Sequence, residues 1–157
     1  MLKIAKFSKD KKYRYSLSRK WSEKEQVLFI LLNPSKGDGI NDDPTIRRLI
    51  SISKNLGYGG FMVVNLYTII TPMRNKLYEK KRKFSKKNKN LIFNLIAQYK
   101  TIIYGWGATE NEPIWLKNTI KNPMCFQINK NGSPKHPLYL KKSSDINTNL
   151  IFKKKNL

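Results

Sequence analysis

The sequence predicts an α/β fold, a three-layer sandwich in which helices cover both faces of a central parallel sheet of about four strands. Four short apolar runs recur along the chain, helical patterns with capping signals fall between them, and no repeat or long linker interrupts this order. A length of 157 residues fits one domain. We therefore expect residues 1–157 to form a single α/β domain, with about 141–157 as a basic C-terminal helix or arm.

The strands are predicted at residues 27–32, 61–66, 101–104 and 124–128. Each run is continuously apolar or nearly so, rather than alternating. Unbroken apolar runs are typical of parallel strands that are buried on both faces. Residues 13–21 are expected to add an antiparallel strand at the edge of this sheet.

The helices are predicted between these strands. The first opens at Asp43-Pro44, where Asp is a favourable N-cap and Pro suits the first helical position, and it ends at Gly57. The second covers about 85–99, with its apolar residues on one face. A shorter third helix begins at Pro113.

The charge predicts a polyanionic partner. Lys and Arg number 32 against 10 acids, a net charge of +22. Codon bias towards Lys, Asn and Ile is the competing explanation, but it should enrich Glu as well, and acids are scarce. Selection for nucleic acid is therefore the favoured interpretation.

Other partners and compartments have little support in the sequence. No stretch approaches the ~20 apolar residues of a membrane span, and the basic N-terminus lacks the apolar core of a signal peptide. We expect a cytoplasmic protein without a membrane partner, and a monomer by default. The single Cys125 excludes an internal disulfide, and a buried thiol is its simpler interpretation. No phosphate-binding or dinucleotide motif occurs, so neither a cofactor nor a metal is expected.

A basic segment at 76–89, KLYEKKRKFSKKNK, carries eight Lys or Arg and one acid. It is either a solvated loop and helix face or a surface that binds phosphates, with Tyr78 and Phe84 interleaved as in proteins that follow a nucleic-acid backbone. The candidate backbone contacts are Lys80, Lys81, Arg82, Lys83, Lys86, Lys87 and, from a later loop, Lys135.

The candidate site lies beyond the carboxyl ends of the strands, where open parallel sheets bind ligands. The loops there contain Asn33, Pro34 and Ser35 after the first strand, Asn65 and Tyr67 at the second, Trp106 between two glycines after the third, and His136 after the fourth. We expect these loops to form one crevice.

Each candidate has a structural alternative. Asn33-Pro34 could be a turn, Asp42 and Asp43 are better explained as capping residues than as catalysts, and Trp106 could pack instead of stacking on a base. Asn65 should be buried and would need partners. His136 lies in a loop, where its imidazole could donate to a developing anion.

The segment LLNPSKGDGINDDPTIRRLISISKNLGYGGFMVVNLYTIITP (31–72), together with IIYGWGA (102–108) and residues 132–140, resembles the signature of a bacterial and phage family, domain of unknown function 1643. The resemblance covers about residues 13–140, and the family name implies no activity.

The order of motifs is also similar to that of the uracil-DNA glycosylase superfamily. That resemblance implies the glycosylase fold and DNA, rather than RNA, as the partner. Asn33-Pro34-Ser35 would match the water-positioning motif, closest to the mismatch-specific branch, while Asn65 would read the base and His136 would act as donor to the leaving group. Two departures are visible: the acidic water activator of other branches is missing, and Leu138 replaces the Ser that often follows His-Pro.

Two classes of function therefore stay open. The first is a base-excising N-glycosidic hydrolase that acts on DNA with a modified or damaged base and uses Asn33 and His136 as catalytic residues. Cleavage would need the base to be flipped into a pocket. The second is a non-catalytic nucleic-acid-binding protein that keeps the fold without the chemistry, which the missing acidic activator favours.

Overall fold

The computed structural model describes residues 1–71, 73 and 84–141. The elements in chain order are β1 (Leu2–Phe7), β2 (Arg14–Lys20), β3 (Gln26–Leu31), α1 (Pro44–Asn55), β4 (Gly60–Asn65), α2 (Lys86–Ile96), β5 (Ile102–Tyr104), α3 (Ile114–Lys117), β6 (Met124–Cys125) and a 3-10 turn (Pro137–Tyr139). The C-terminal arm expected from about residue 141 lies outside the described residues, apart from Lys141.

The six strands form one mixed sheet in the order β1-β2-β4-β3-β5-β6. The four strands expected from the apolar runs are present, and each is parallel to its neighbours within this group. The α/β class is therefore confirmed, and the strand expected at residues 13–21 is antiparallel, but the sheet is mixed and contains a further strand, β1, that the sequence did not indicate. β2 pairs antiparallel with β4, and β1 pairs antiparallel with β2.

The N-terminal hairpin accounts for this difference. Its first strand, β1, alternates exposed and half-buried residues and carries two lysines, so it lacks the continuous apolar run that revealed the others. Because β1 covers the outer side of β2, the strand expected at the edge of the sheet is an inner strand.

The first helix packs on one face of the sheet. Asp43 caps it by accepting a hydrogen bond from the Ile46 backbone N–H at 2.9 Å, and Pro44 follows at the first helical position. Gly57, with φ +81°, reverses the chain after the helix. The apolar residues of α1 join a core cluster with Phe126, which follows β6, and with alternate residues of the strands: Leu17, Val27, Phe29, Leu31, Phe61, Val63 and Ile103.

The second helix packs on the opposite face. Ser85 caps α2 by accepting from the Asn88 N–H at 3.1 Å, and the helix ends three residues earlier than expected, at Ile96. Ile92 and Leu95, together with Leu116 of α3, pack against the other set of strand residues, including Leu28, Ile30, Val64 and Tyr104. None of the described helices is long and apolar enough to span a membrane.

The order in which the chain adds its parallel strands reverses at one position in the sheet. The chain passes from β3 through α1 to β4 on one side, and then through α2 to β5 on the other side of β3. The direction of winding therefore reverses between β3 and β5. In open α/β sheets ligands bind at this reversal, beyond the carboxyl ends of the strands.

Candidate functional site

Asn33 follows the central strand β3 and is fixed by its side-chain amide. Its Nδ2 donates to the backbone oxygens of Thr71 at 2.8 Å and of Pro34 at 3.1 Å. Both N–H bonds are thus used to hold the loop, which agrees with the turn interpretation. The Oδ1 atom makes no hydrogen bond with the described residues, so it remains available as an acceptor. Pro34 is buried and Ser35 half-buried beside it.

Asn65 ends β4 and lies opposite Leu31 of β3 in the register of the sheet. It is 2% exposed, as the sequence predicts. Its backbone oxygen accepts from Asn88 Nδ2 at 2.7 Å, but its own side-chain amide has no hydrogen-bond partner among the residues described. The fully enclosed side-chain atoms that lack a hydrogen bond include Oδ1 of Asn88 but no atom of Asn65. Asn65 therefore offers a nearly buried amide whose polar atoms are not sealed off from the surface.

Tyr67 lies just beyond β4 and is tied to the loop that follows β5. Its hydroxyl donates to Glu110 Oε1 at 2.6 Å, and its ring packs 5.1 Å from that of Phe84. Glu110 was not among the candidates predicted from the sequence. A carboxylate within six residues of the third predicted strand, on its carboxyl side, was the signal that could have identified it.

Trp106 corrects an expectation. It is fully buried, its ring centroid lies 4.4 Å from that of Tyr104, and its Nε1 donates to the Glu110 backbone oxygen at 3.0 Å. The flanking glycines suggested an exposed loop, but their role is local: a side chain at Gly105 would meet Leu31 and Pro137 at 2.9 Å. Trp106 is therefore a packed core residue, as the alternative interpretation proposed, and its ring is not exposed.

His136 borders a cavity of about 210 Å³ with Gly107, Ala108, Asn129, Lys135 and Tyr139. Its Nδ1 accepts from the Leu138 N–H at 3.2 Å and caps the 3-10 turn. The loop is fastened to the end of β5, because the Gly107 N–H donates to the Pro134 oxygen at 2.9 Å. The histidine is thus half-buried and held on the β5 side of the reversal point.

The loop after Asn33 is anchored by two buried arginines. Arg14 is 3% exposed and donates to the Gly37 oxygen at 2.6 Å, and burial lowers its pKa to about 10 against the opposing effect of Asp43. Arg19 is fully buried and donates to Asp42 at 2.7 Å. The structural interpretation therefore fits both aspartates. Asp43 caps α1, whereas Asp42 forms ion pairs instead of the expected cap.

A family model described as a protein of unknown function, DUF1643, matches residues 14–138. The chain belongs to this family. The match includes every strand except β1 and extends through His136. No curated protein and no solved structure matches the chain significantly.

The basic candidates of this DUF1643 protein are only partly within the described residues. Lys80, Lys81, Arg82 and Lys83 lie outside them. Lys86 and Lys87 are exposed in the first turn of α2, and the Lys87 Nζ lies 4.3 Å from the centre of the Tyr15 ring. Lys135 is half-buried in the wall of the His136 cavity.

The remaining groups of this DUF1643 protein that could act as a nucleophile or bind a metal are Cys125 and the acidic side chains. Burial raises the pKa of the Cys125 thiol to about 11, so it is a poor nucleophile near neutral pH. Across residues 1–71, 73 and 84–141, no three His, Cys, Asp or Glu side chains form a group that could hold a metal ion.

Proposed function

We propose that this protein binds DNA and hydrolyses the N-glycosidic bond of a modified or damaged base, on a fold of the uracil-DNA glycosylase kind. The observation that carries the proposal is the amide of Asn65, buried at the end of β4, next to the central strand β3, and without a hydrogen-bond partner among the described residues. An amide offers both a donor and an acceptor, which suits it to the edge of a base.

His136 supports the second role that the reaction needs. The base departs as an anion, and a donor placed at the leaving base stabilises the transition state. Because Nδ1 accepts the Leu138 N–H, the neutral imidazole carries its proton on Nε2, the atom that would donate to the base. The adjoining cavity includes Lys135, whose charge also favours a developing anion.

Asn33 supports the third role, the positioning of water. Its two amide hydrogens are committed to backbone oxygens, which fixes the plane of the amide and leaves Oδ1 to accept a hydrogen bond. β3 lies between β4, which ends at Asn65, and β5, and the segment after β5 is hydrogen-bonded to the His136 loop through Gly107 and Pro134. Asn33 therefore follows the strand between the two other candidates.

The charge supports the choice of substrate. A net charge of +22 on 157 residues favours binding to a polyanion through phosphate contacts. Such contacts position a nucleic acid without reading its sequence. Recognition of the base would then depend on Asn65 and its neighbours at the sheet edge.

The test is a panel of DNA oligonucleotides, single- and double-stranded, each with one modified, deaminated or alkylated base. After incubation with excess protein, free base is measured by mass spectrometry. We expect release from at least one member and its loss in Asn65→Ala, while Asn94→Ala, which removes an exposed amide from α2, keeps the activity. Absence of release from every member would overturn the proposal.

A second candidate is a non-catalytic DNA-binding protein with the same fold. It is favoured by the structural use of both Asn33 N–H bonds and by the lack of an acidic residue at 33–35. This candidate predicts binding to the panel oligonucleotides without release of any base.

A further inference from the structure

The hydrogen bond between Tyr67 and Glu110 crosses the carboxyl end of the central strand. Tyr67 follows β4, and its backbone N–H donates to the Leu32 oxygen at 2.9 Å. Glu110 follows β5, and β3 lies between β4 and β5. Neighbouring strands are about 4.8 Å apart, so the tyrosine side chain bridges most of the distance. The Tyr67–Glu110 pair therefore links the segments that follow the two neighbours of β3, at the edge where β3 leads into Asn33.

The Glu110 carboxylate has no cationic partner among the described residues, although the protein is strongly basic. The chain carries 32 Lys and Arg, yet Glu110 forms no ion pair with the described residues. Its one side-chain hydrogen bond there is the 2.6 Å contact from Tyr67 to Oε1, and no donor from the same part of the chain reaches Oε2. A half-buried carboxylate with an uncommitted oxygen is suited to a cationic ligand group.

We propose that Glu110 is the carboxylate that stabilises positive charge on the sugar of a nucleotide bound at this edge of the sheet, and that Tyr67 positions it. The proposal rests on the proposed function and supplies the acid that residues 33–35 lack. As the bond between the sugar C1′ and the base nitrogen breaks, its electron pair leaves with the base and the sugar becomes oxocarbenium-like. Water then adds its oxygen to C1′ and Glu110 takes its proton, while the departing base, stabilised by the hydrogen bond from His136, gains its proton from solvent.

Glu112 provides a matched control from the same loop. Its Oε1 accepts from the Tyr104 hydroxyl at 3.2 Å, so it too is paired with a tyrosine. Tyr104 is fully buried, however, and burial raises its pKa far above the ordinary value, with Glu112 adding to the effect. Glu112 is thus bonded to a core residue, whereas Glu110 is bonded to a half-buried one at the sheet edge.

The experiment compares two DNA probes that differ in one charge. One oligonucleotide carries a cationic pyrrolidine in place of the target sugar, and the other carries the neutral tetrahydrofuran analogue. We expect wild-type protein to bind the cationic probe at least about tenfold more tightly than the neutral one, since an opposite charge within ~4–6 Å has an effect of this size. Glu110→Gln should remove the preference, Tyr67→Phe should reduce it, and Glu112→Gln should keep it.

The outcomes separate this inference from the proposed function. An equal preference in wild type and Glu110→Gln, or no preference in wild type, overturns the role of Glu110. Failure of wild type to bind either probe overturns it as well. A preference that depends on Glu110, without release of base from any oligonucleotide, supports the carboxylate site and contradicts the hydrolase. The thermal midpoint of each variant shows whether it is folded.

Discussion

The polar residues at the carboxyl edge differ in how far the fold uses them. Asp43 is fully committed, because its two oxygens accept from the backbone of Ile46 and Gly37. Asn33 is partly committed through its N–H groups, and the Asn65 side chain has no hydrogen bond with the residues that the structure describes. Since folded proteins satisfy nearly all buried polar groups, the uncommitted atoms are the ones to which a ligand should bind.

At the residue scale, His136→Ala should slow base release by roughly a hundredfold or more and leave DNA affinity nearly unchanged. A group that acts in the transition state affects the rate rather than ground-state binding. Single-turnover kinetics and equilibrium binding measure the two effects separately.

The control for this variant is His136→Asp, whose carboxylate can still accept the Leu138 N–H and cap the 3-10 turn but, when ionised, has no proton to donate to the base. Both variants should therefore lose the same activity. Full activity in His136→Ala would contradict the assigned role, and recovery in His136→Asp would show that the histidine acts only through the turn.

At the element scale, the N-terminal hairpin holds the loop after β3 in place. Lys3 of β1 and Arg19 of β2 both bind Asp42, at 2.6 and 2.7 Å, and Arg14 binds the Gly37 oxygen. The loop between Asn33 and α1 is thus attached to strands that lie on the far side of β4. The two antiparallel strands therefore hold in place the loop that follows Asn33.

Asp42→Asn should lower the free energy of unfolding by about 1–3 kcal/mol near neutral pH, since fully buried Arg19 loses its charge partner. Burial raises the pKa of Asp42, but hydrogen bonds from Lys3 and Arg19 outweigh this effect and hold the pKa below its ordinary value. A lowered pKa gives stability that is complete above about pH 4 and is lost as the pH falls through the folded value.

Urea denaturation of wild type and Asp42→Asn from pH 7 to pH 2 measures this dependence. The two proteins should differ most near pH 7 and converge in acid, where the wild-type carboxyl is protonated. A difference that stays constant over the whole range would show that Asp42 contributes by packing rather than by charge.

At the scale of the whole molecule, the parallel half of the sheet could be predicted and the antiparallel half only in part. Continuous apolar runs such as residues 27–32 carry a signal that is independent of the rest of the chain. β1 is defined by pairing with β2, which a local pattern does not contain. The burial of Trp106 depends on Tyr104 and Gly105, so the sequence around it indicated a loop but not its packing.

The sequence could predict those site residues that are identified by their position at the end of a strand. It could not predict those that are identified by a contact with a distant residue. Asn33 and Asn65 follow buried strands, and topology alone brings such residues to one edge. Glu110 gains its meaning from the hydroxyl of Tyr67, 43 positions away. No spacing rule links these two residues, because the intervening chain passes through α2 and β5.

The distribution of charge gives the prediction for the whole molecule. Replacing Lys80, Lys81, Arg82 and Lys83 by Ala should weaken DNA binding equally on all sequences and flatten the dependence of affinity on salt. The slope of the logarithm of the binding constant against the logarithm of salt concentration should become shallower by about 0.9 for each phosphate that the protein no longer neutralises. Fluorescence anisotropy between low and high salt measures that slope.

The control removes the same charge from the edge of the sheet at which the parallel strands begin. Lys24, Lys54, Lys100 and Lys121 are exposed, and each shortly precedes a parallel strand. Their replacement by Ala should change the slope less than the first variant does. Equal slopes for the two variants would mean that binding depends on total charge and not on the segment at 76–89.

The central claim is hydrolysis at C1′ of the sugar, and heavy-oxygen water tests it most directly. The protein is incubated in this water with the oligonucleotide that releases base, and the products are analysed by mass spectrometry. The account predicts that the label enters the sugar of the abasic product and is absent from the free base and the phosphates. Label in the base or in a phosphate would contradict it, and so would an oligonucleotide product whose sugar carries no label.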